Sequence, residues 1–146
     1  SISTGYGHTV CLDYDGNVFT FGNNRWGQLG IGVDALTLGR THVPQKVNLP
    51  SCIQVSCGGD FVVCLTQDSE VYVFGKNSFG QLGIGNDERF INLPQKIELL
   101  QDVEFIECGC SHTFCKTRSN EFYCWGNNNR GQLGLGNRQH QLLPYK

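Results

Sequence analysis

The sequence of 146 residues contains no methionine, only four prolines and no long apolar run. A membrane-spanning helix needs about 20 consecutive apolar residues, so no such helix is predicted. The formal net charge is −2. Proteins that bind nucleic acids or anionic lipids usually carry a strong positive field, which this composition lacks. We therefore expect neither a membrane nor direct nucleic-acid contact.

The patterns that indicate catalysis are missing too. No Ser-His-Asp triad, Cys-His pair or carboxylate pair stands out along the chain. Cys108, Cys110 and His112 lie close together, but their spacing matches no zinc pattern. The glycines of GQLGIG, which ends at Gly32, follow the order G-x-x-G-x-G, the reverse of the dinucleotide fingerprint. We expect no enzyme, no cofactor and no metal site.

The sequence does contain an internal repeat. FGNNRWGQLGIG begins at Phe21, FGKNSFGQLGIG at Phe74 and WGNNNRGQLGLG at Trp125, which gives spacings of 53 and 51 residues. A second block repeats in the same phase as GYGHTVCL, GGDFVVCL and GCSHTFCK. Three repeat units are predicted, with the boundaries 1–51, 52–101 and 102–146.

Short strands are predicted within each unit. The run FVVCL at 61–65 is β-branched and apolar, as in a strand covered on both faces. In the first unit Asp15-Gly16 predicts a hairpin turn, and the other two turns, which lack glycine, are expected to differ in type or length. Short outer strands are expected at 45–47 and 95–97. About four strands per unit and no helical period predict an all-β fold of about three blades, each of four antiparallel strands, as in a propeller.

Cysteine and histidine also recur at repeat positions. Cys11, Cys64 and Cys115 share one position, and equivalent positions on stacked sheets lie about 10 Å apart, too far for a disulfide. Free buried thiols indicate a reducing compartment, so we expect the cytoplasm or the nucleus. His8 and His112 share a position that Phe61 occupies in the middle unit, which favours a packed ring or a hydrogen bond between blades over catalysis.

The connections that follow the glycine motif differ in length between the units. The first connection is longer than the other two. Loops of unequal length on an equal scaffold are where repeat proteins usually place their contacts. The charged residues of these connections are therefore candidates for an interaction surface: Asp34, Arg40, Asp87, Glu88, Arg89 and Arg138.

The repeat combines three patterns in a fixed order: G-x-x-H-T-x-x-L, then D-G-x-V-x-x-F/W-G-x-N, then G-Q-L-G-x-G. This combination resembles the repeat of the regulator of chromosome condensation family. The resemblance covers the whole chain and implies a propeller of four-stranded blades, built in that family from about seven repeats. Family members act as a nucleotide exchange factor for a Ran-type small GTPase, as chromatin-associated regulators, or as interaction propellers in larger proteins. The insertion that acts as a wedge in the exchange factor has no counterpart here.

The resemblance implies a non-enzymatic protein-interaction segment, a scaffold or regulator, as the first hypothesis. An exchange factor or effector of a Ran-type small GTPase is the alternative, and a chromatin-associated regulator is the third. Three blades leave apolar sheet faces bare at both ends, which costs free energy in water. We therefore expect that the chain associates with other copies to complete a ring or is part of a longer chain.

Overall fold

The computed structural model describes residues 1–33 and 37–146, and its strands form three similar sheets. Four strands make the first sheet: β1 Ile2–Thr4, β2 His8–Leu12, β3 Val18–Asn23 and β4 Arg40–Lys46. The second sheet contains β5 Cys52–Cys57, β6 Phe61–Thr66, β7 Val71–Lys76 and β8 Phe90–Lys96. The third contains β9 Val103–Cys108, β10 His112–Thr117, β11 Phe122–Gly126 and β12 Gln141–Tyr145.

Each sheet is an antiparallel meander in which strands adjacent in sequence pair with each other. The predicted all-β class with blades of four antiparallel strands is confirmed. Within the described residues, the structure contains no helix with the length and apolar character needed to cross a bilayer. The boundaries predicted for the three units stay a prediction.

The meander creates two opposite faces on the row of blades. We name the loop face after the connections that follow the first and third strand of each blade, together with the strand ends that border them; the described connections are residues 5–7, 24–33, 37–39, 58–60, 77–89, 109–111 and 127–140. The turn face carries the hairpin turns and the links between blades, at residues 13–17, 47–51, 67–70, 97–102 and 118–121. Every connection that follows a glycine motif therefore emerges on the loop face.

The hydrophobic core lies between the blades. All of β6 is buried, because the middle blade has a neighbour on each side. In β2, burial alternates, with Val10 and Leu12 buried on the side of the second blade. A second cluster joins the middle blade to the third and includes Phe61, Leu82 and Trp125. The core is therefore a set of interfaces between sheets.

The hairpin turns correct one expectation from the sequence. Gly16 has φ 82°, and the equivalent residues Ser69 and Asn120 have φ 62° and 63°. In each turn the amide of this residue donates to the carbonyl three positions earlier. The prediction that the turns without glycine differ in type or length is wrong, because serine and asparagine adopt the left-handed conformation there.

The outer strands are longer than the sequence predicts. β4 and β8 each span seven residues and end at Lys46 and Lys96. Pairing between β3 and β4 shifts register between Thr20 and Gly22 and then resumes, and β7 and β8 show the same shift. The outer strands therefore pair on both sides of a β-bulge, and the sequence pattern alone does not reveal this continuation.

Candidate interaction surface

The candidate residues chosen from the sequence lie on one face of the blades. Arg40 is the first residue of β4, Arg89 precedes β8 and Arg138 precedes β12, so all three arginines are on the loop face. Asp87 and Glu88 are exposed in the same connection as Arg89. Asp34 lies outside the described residues. The topology therefore places the five described candidates on a common surface, and their role in binding stays a prediction.

A buried asparagine holds each of these connections in place. In the first blade, the amide nitrogen of Asn24 donates to the carbonyls of Val33 and Leu38, at 3.2 and 3.1 Å, and its oxygen accepts from the Leu29 amide at 3.1 Å. The side chain thus ties the glycine motif to the far end of the connection. Asn77 and Asn128 do the same in the other blades.

The sequence reasoning did not select these asparagines. An Asn three positions after each aromatic of the repeat, in all three copies, was the signal that could have identified them. Each buried side chain satisfies several backbone groups of its loop. Breaking these hydrogen bonds would leave the backbone groups unpaired, so the loop is rigid. The loop face is consequently preorganised.

The glycine motif of one blade packs against the next blade. A Cβ added at Gly30 would lie 2.8 Å from the Phe74 ring, and one added at Gly83 would lie 2.7 Å from Trp125. Trp125 Nε1 also donates to the carbonyl of Gln81 at 2.9 Å. The glycines are needed for this close approach of neighbouring blades.

The two seams between blades each carry an aromatic pair on the loop face. The Trp26 and Phe90 rings meet edge to face at a centroid distance of 6.4 Å, and Phe79 and His140 do so at 5.3 Å. Lys76 Nζ lies 4.7 Å from the Trp26 centroid and the Arg25 guanidinium carbon lies 5.9 Å from it. Trp26 is therefore flanked by two cations.

Basic side chains divide between the two faces by type. Among the described residues, three of the four turn-face lysines form close ion pairs, including Lys96 with Glu70 at 2.7 Å. On the loop face, the only close pair in the described chain is Lys76 with Asp60, at 3.8 Å. Five of the six arginines lie on the loop face, and none of them has a carboxylate partner among the described residues: Arg25, Arg40, Arg89, Arg130 and Arg138.

The outer edge of the first blade forms a groove of about 1090 Å³. Phe21, which corresponds to Phe74 and Trp125, lines this groove together with Asn23, Arg40 and His42. Phe21 is half-buried, whereas Phe74 and Trp125 are fully buried. The groove is therefore the position that a preceding blade would cover.

The nucleophilic and titratable groups of the interior are suited to packing. Burial raises the pKa of Cys57 to about 11 and that of Cys115 to about 12, so both remain thiols at neutral pH. Burial lowers the pKa of His8 to about 4, and its ring nitrogens have no hydrogen-bond partner among the described residues. His8 packs over Gly5 as Phe61 packs over Gly58. The packed-ring interpretation of His8 fits this geometry.

All eight cysteines are free. Among the described residues, no group of three or more His, Cys, Asp or Glu side chains is arranged to hold a metal ion. Cys110 is exposed and contacts the Tyr6 hydroxyl at 2.5 Å across the first and third blades. The arrangement on the loop face is suited to binding through guanidinium groups and aromatic rings.

A family model described as the regulator of chromosome condensation (RCC1) repeat matches residues 15–65, 68–115 and 119–146. A second model with the same description matches residues 1–28, 52–81 and 103–132. The two models together cover nearly the whole chain, and each of them finds three copies.

Curated relatives are longer proteins of several kinds. The ultraviolet-B receptor UVR8 of Arabidopsis thaliana is 32% identical over 98% of this chain and 32% of the relative. The secretion-regulating guanine nucleotide exchange factor of Bos taurus is 38% identical over 98% of this chain and 30% of the relative. The probable E3 ubiquitin-protein ligase HERC4 of Homo sapiens is 37% identical over 99% of this chain and 14% of the relative. The chain thus spans about a third or less of each, and its expected lack of enzymatic activity stays a prediction.

Solved structures share the fold. Yeast RCC1 (Prp20), in its complex with Kap60, superposes with a TM-score of 0.91 at 22% identity, over 99% of this chain and 36% of that protein. Prp20p from Saccharomyces cerevisiae, described with its binding to Gsp1p and histones, gives a TM-score of 0.89 at 22% identity, over 99% and 37%. At this identity the likeness establishes the fold, and the three blades correspond to part of a propeller.

Proposed function

The chain belongs to the regulator of chromosome condensation repeat family, and we propose that it acts as a protein-interaction segment of a propeller, a non-enzymatic scaffold or regulator that binds its partner with the loop face. The observation that carries this proposal is the loop face itself. Connections of unequal length are fixed by buried asparagines and present five arginines that have no carboxylate partner among the described residues. Repeat proteins usually carry their binding residues on such loops.

Site-specific photo-crosslinking in cells tests this proposal. A photoreactive amino acid at Arg25 or Arg138 probes the loop face, and one at Asp68 or Asn120 probes the turn face, since all four side chains are exposed. The expected result is a discrete set of protein adducts from the loop-face positions alone. The same adducts from both faces, or none from the loop face, would contradict the proposal.

Small-GTPase regulation is the second candidate, and the similarity to the secretion-regulating exchange factor favours it. An exchange factor accelerates the release of bound nucleotide from its GTPase. The chain is titrated into small GTPases loaded with a fluorescent guanine nucleotide, and release is followed in time. A release rate that rises with chain concentration supports this function, whereas a rate that stays constant across the panel contradicts it.

Self-association to complete the propeller is a further proposal. The groove around Phe21 repeats the sites that the glycine motifs fill at Phe74 and Trp125, which supports a covering blade. Light scattering during size exclusion, over a concentration series, measures the mass. A discrete multiple of 16.2 kDa supports self-association, and a monomer at all concentrations contradicts it.

We place this function in the cytoplasm or the nucleus. Eight free thiols, several of them buried with raised pKa values, support a reducing compartment. Imaging of the tagged protein tests this placement, and a signal confined to the secretory pathway would contradict it.

A further inference from the structure

We propose that the loop face at the seam between the first and second blades binds an acidic protein segment, whose carboxylates pair with Arg25 and Arg89 and whose apolar side chain packs on Trp26 and Phe90. This inference rests on the proposed interaction function and specifies the chemistry of the partner. It starts from the division of basic residues between the faces.

The loop-face arginines have no carboxylate partner in the part of the chain that the structure describes. On the turn face, carboxylates of the chain itself pair with three of the four lysines, as Glu70 does with Lys96 and Glu104 with Lys116. Arg25 and Arg89 are exposed and have no such partner among the described residues. Arginine is the side chain that best matches a carboxylate, because its planar fork donates two parallel hydrogen bonds. Carboxylates from another molecule therefore fit this face.

Each of these arginines is followed in the chain by an aromatic residue of the seam, Arg25 by Trp26 and Arg89 by Phe90. Trp26 is only partly buried, stands 6.4 Å from the Phe90 centroid and has the Arg25 guanidinium beside it. Phe90 remains 39% exposed although it packs on Trp26. Tryptophan and arginine are the residue types most enriched among residues that dominate interface energies. The rings supply apolar contact beside the cationic groups.

The seam is also rigid. Arg25 and Trp26 lie in the glycine motif that Asn24 fixes, and the amide of Asn77 holds the carbonyl of Glu88, next to Arg89, at 2.9 Å. Phe90 begins β8 and is hydrogen-bonded into the sheet opposite Lys76. A site that is already ordered loses little conformational entropy when it binds.

The charges on the loop face favour carboxylates of a short protein segment over a nucleic acid. Asp60 lies beside Lys76, and the exposed Asp87 and Glu88 precede Arg89. A continuous phosphate backbone would pass these three carboxylates and be repelled by them. A peptide with separate acidic residues can pair with the arginines and avoid the acidic positions.

The test uses a fluorescent synthetic peptide in which glutamate and leucine alternate, with a matched peptide in which glutamine replaces every glutamate. Anisotropy measures binding to the chain. The variant Arg25→Glu with Arg89→Glu removes the proposed partners, whereas Lys46→Glu with Arg118→Glu makes the same change in net charge on the turn face. We expect affinity to fall about tenfold or more in the first variant and less than about twofold in the second.

Four outcomes would overturn the proposal: no saturable binding, equal binding of the glutamine peptide, equal losses in the two variants, or tighter binding of a DNA oligonucleotide than of the peptide. A circular dichroism spectrum like that of the wild type in both variants ensures that a loss is not due to unfolding. The crosslinking experiment separates the two proposals. Protein adducts at Arg25 without peptide binding would leave the interaction function standing and reject the acidic partner.

Discussion

The glycine motifs of the second and third blades have the same sequence pattern and the same backbone conformation, but only the second blade's motif is packed. Gly83 and Gly134 have φ 68° and 72°. A Cβ at Gly83 would lie 2.7 Å from Trp125, whereas at Gly134 no heavy atom in the described part of the chain lies within 4 Å. The motif therefore folds without a neighbour, and its packing depends on the next blade.

The other end of the row shows the same contrast. Trp125 is fully buried beneath the motif of the second blade, while Phe21 at the equivalent position lines an open groove. The inner seams and the outer edges thus have the same residue types in different surroundings. The predictions below test how much of the stability comes from the neighbour.

The largest effect is expected for Trp125→Ala. It removes a fully buried ring at an inner seam and should lower the free energy of unfolding by about 4 kcal/mol. Phe21→Ala removes the equivalent half-exposed ring and should cost about 1 kcal/mol, because less apolar area is buried there. Urea unfolding followed by circular dichroism measures both values.

Trp125→Phe is the control for this pair, since phenylalanine occupies that position in the middle blade. It keeps the ring but loses the bond from Nε1 to Gln81, so a cost of about 1 kcal/mol is expected. Equal costs for Trp125→Ala and Phe21→Ala would mean that the seam contributes no more than the edge.

Gly83→Ala and Gly134→Ala form the next pair. Both place alanine at a positive φ, which costs about 1–2 kcal/mol at either site. At Gly83 the methyl group also overlaps the Trp125 ring, so about 3 kcal/mol in total is expected. Thermal and urea unfolding measure the free energy of unfolding of both variants. The backbone strain is common to both and cancels in the difference. Equal free energies of unfolding for the two variants would show that the seam accommodates the methyl group at position 83 without cost.

The first and middle blades differ at the ring beside the first glycine, His8 in one and Phe61 in the other. Burial lowers the pKa of His8 to about 4, against 6.5 ordinarily. The unfolded state therefore binds more protons, and stability that is present above about pH 6.5 is lost as the pH falls toward about 4. Between pH 8 and pH 5 the loss is about 2 kcal/mol.

His8→Phe gives the first blade the ring of the middle blade and should remove this pH dependence. Urea unfolding at pH 8, 6.5 and 5 measures the slope. His42→Phe is the matched control, because His42 is exposed, and it should leave the slope in place. A slope that survives His8→Phe would assign the proton uptake to another group.

The repeat made the blades predictable, because aromatic, glycine and cysteine positions recur in phase. Two kinds of feature were missed. The turns at Ser69 and Asn120 adopt a conformation that their sequences only weakly indicate. The clamp by Asn24 depends on backbone groups 9 and 14 residues away, and a local pattern does not show where such groups lie. The candidate arginines were found as charged loop residues, but only the structure shows that they have no carboxylate partner among the described residues.

The smallest expected effect concerns association through the outer edges. The seam position held by Trp26 and Phe79 is Arg130 in the third blade, and the position held by Phe90 and His140 is Arg40 in the first. Two copies placed head to tail would bring these two guanidinium groups together. Arg130→Trp with Arg40→Phe replaces that repulsion by an inner-type aromatic pair, worth about 1–2 kcal/mol.

Light scattering over a concentration series should therefore show association of this double variant at about tenfold lower concentration than of the wild type. Lys46→Phe with Arg118→Trp makes the same change of charge and aromatic content on the turn face and should not shift association. If the wild type already forms a discrete multimer at low concentration, the arginines do not oppose the contact, and the outer edges are equivalent to the inner seams. If the double variant stays monomeric, the aromatic pair does not contribute enough free energy to bring two blades together.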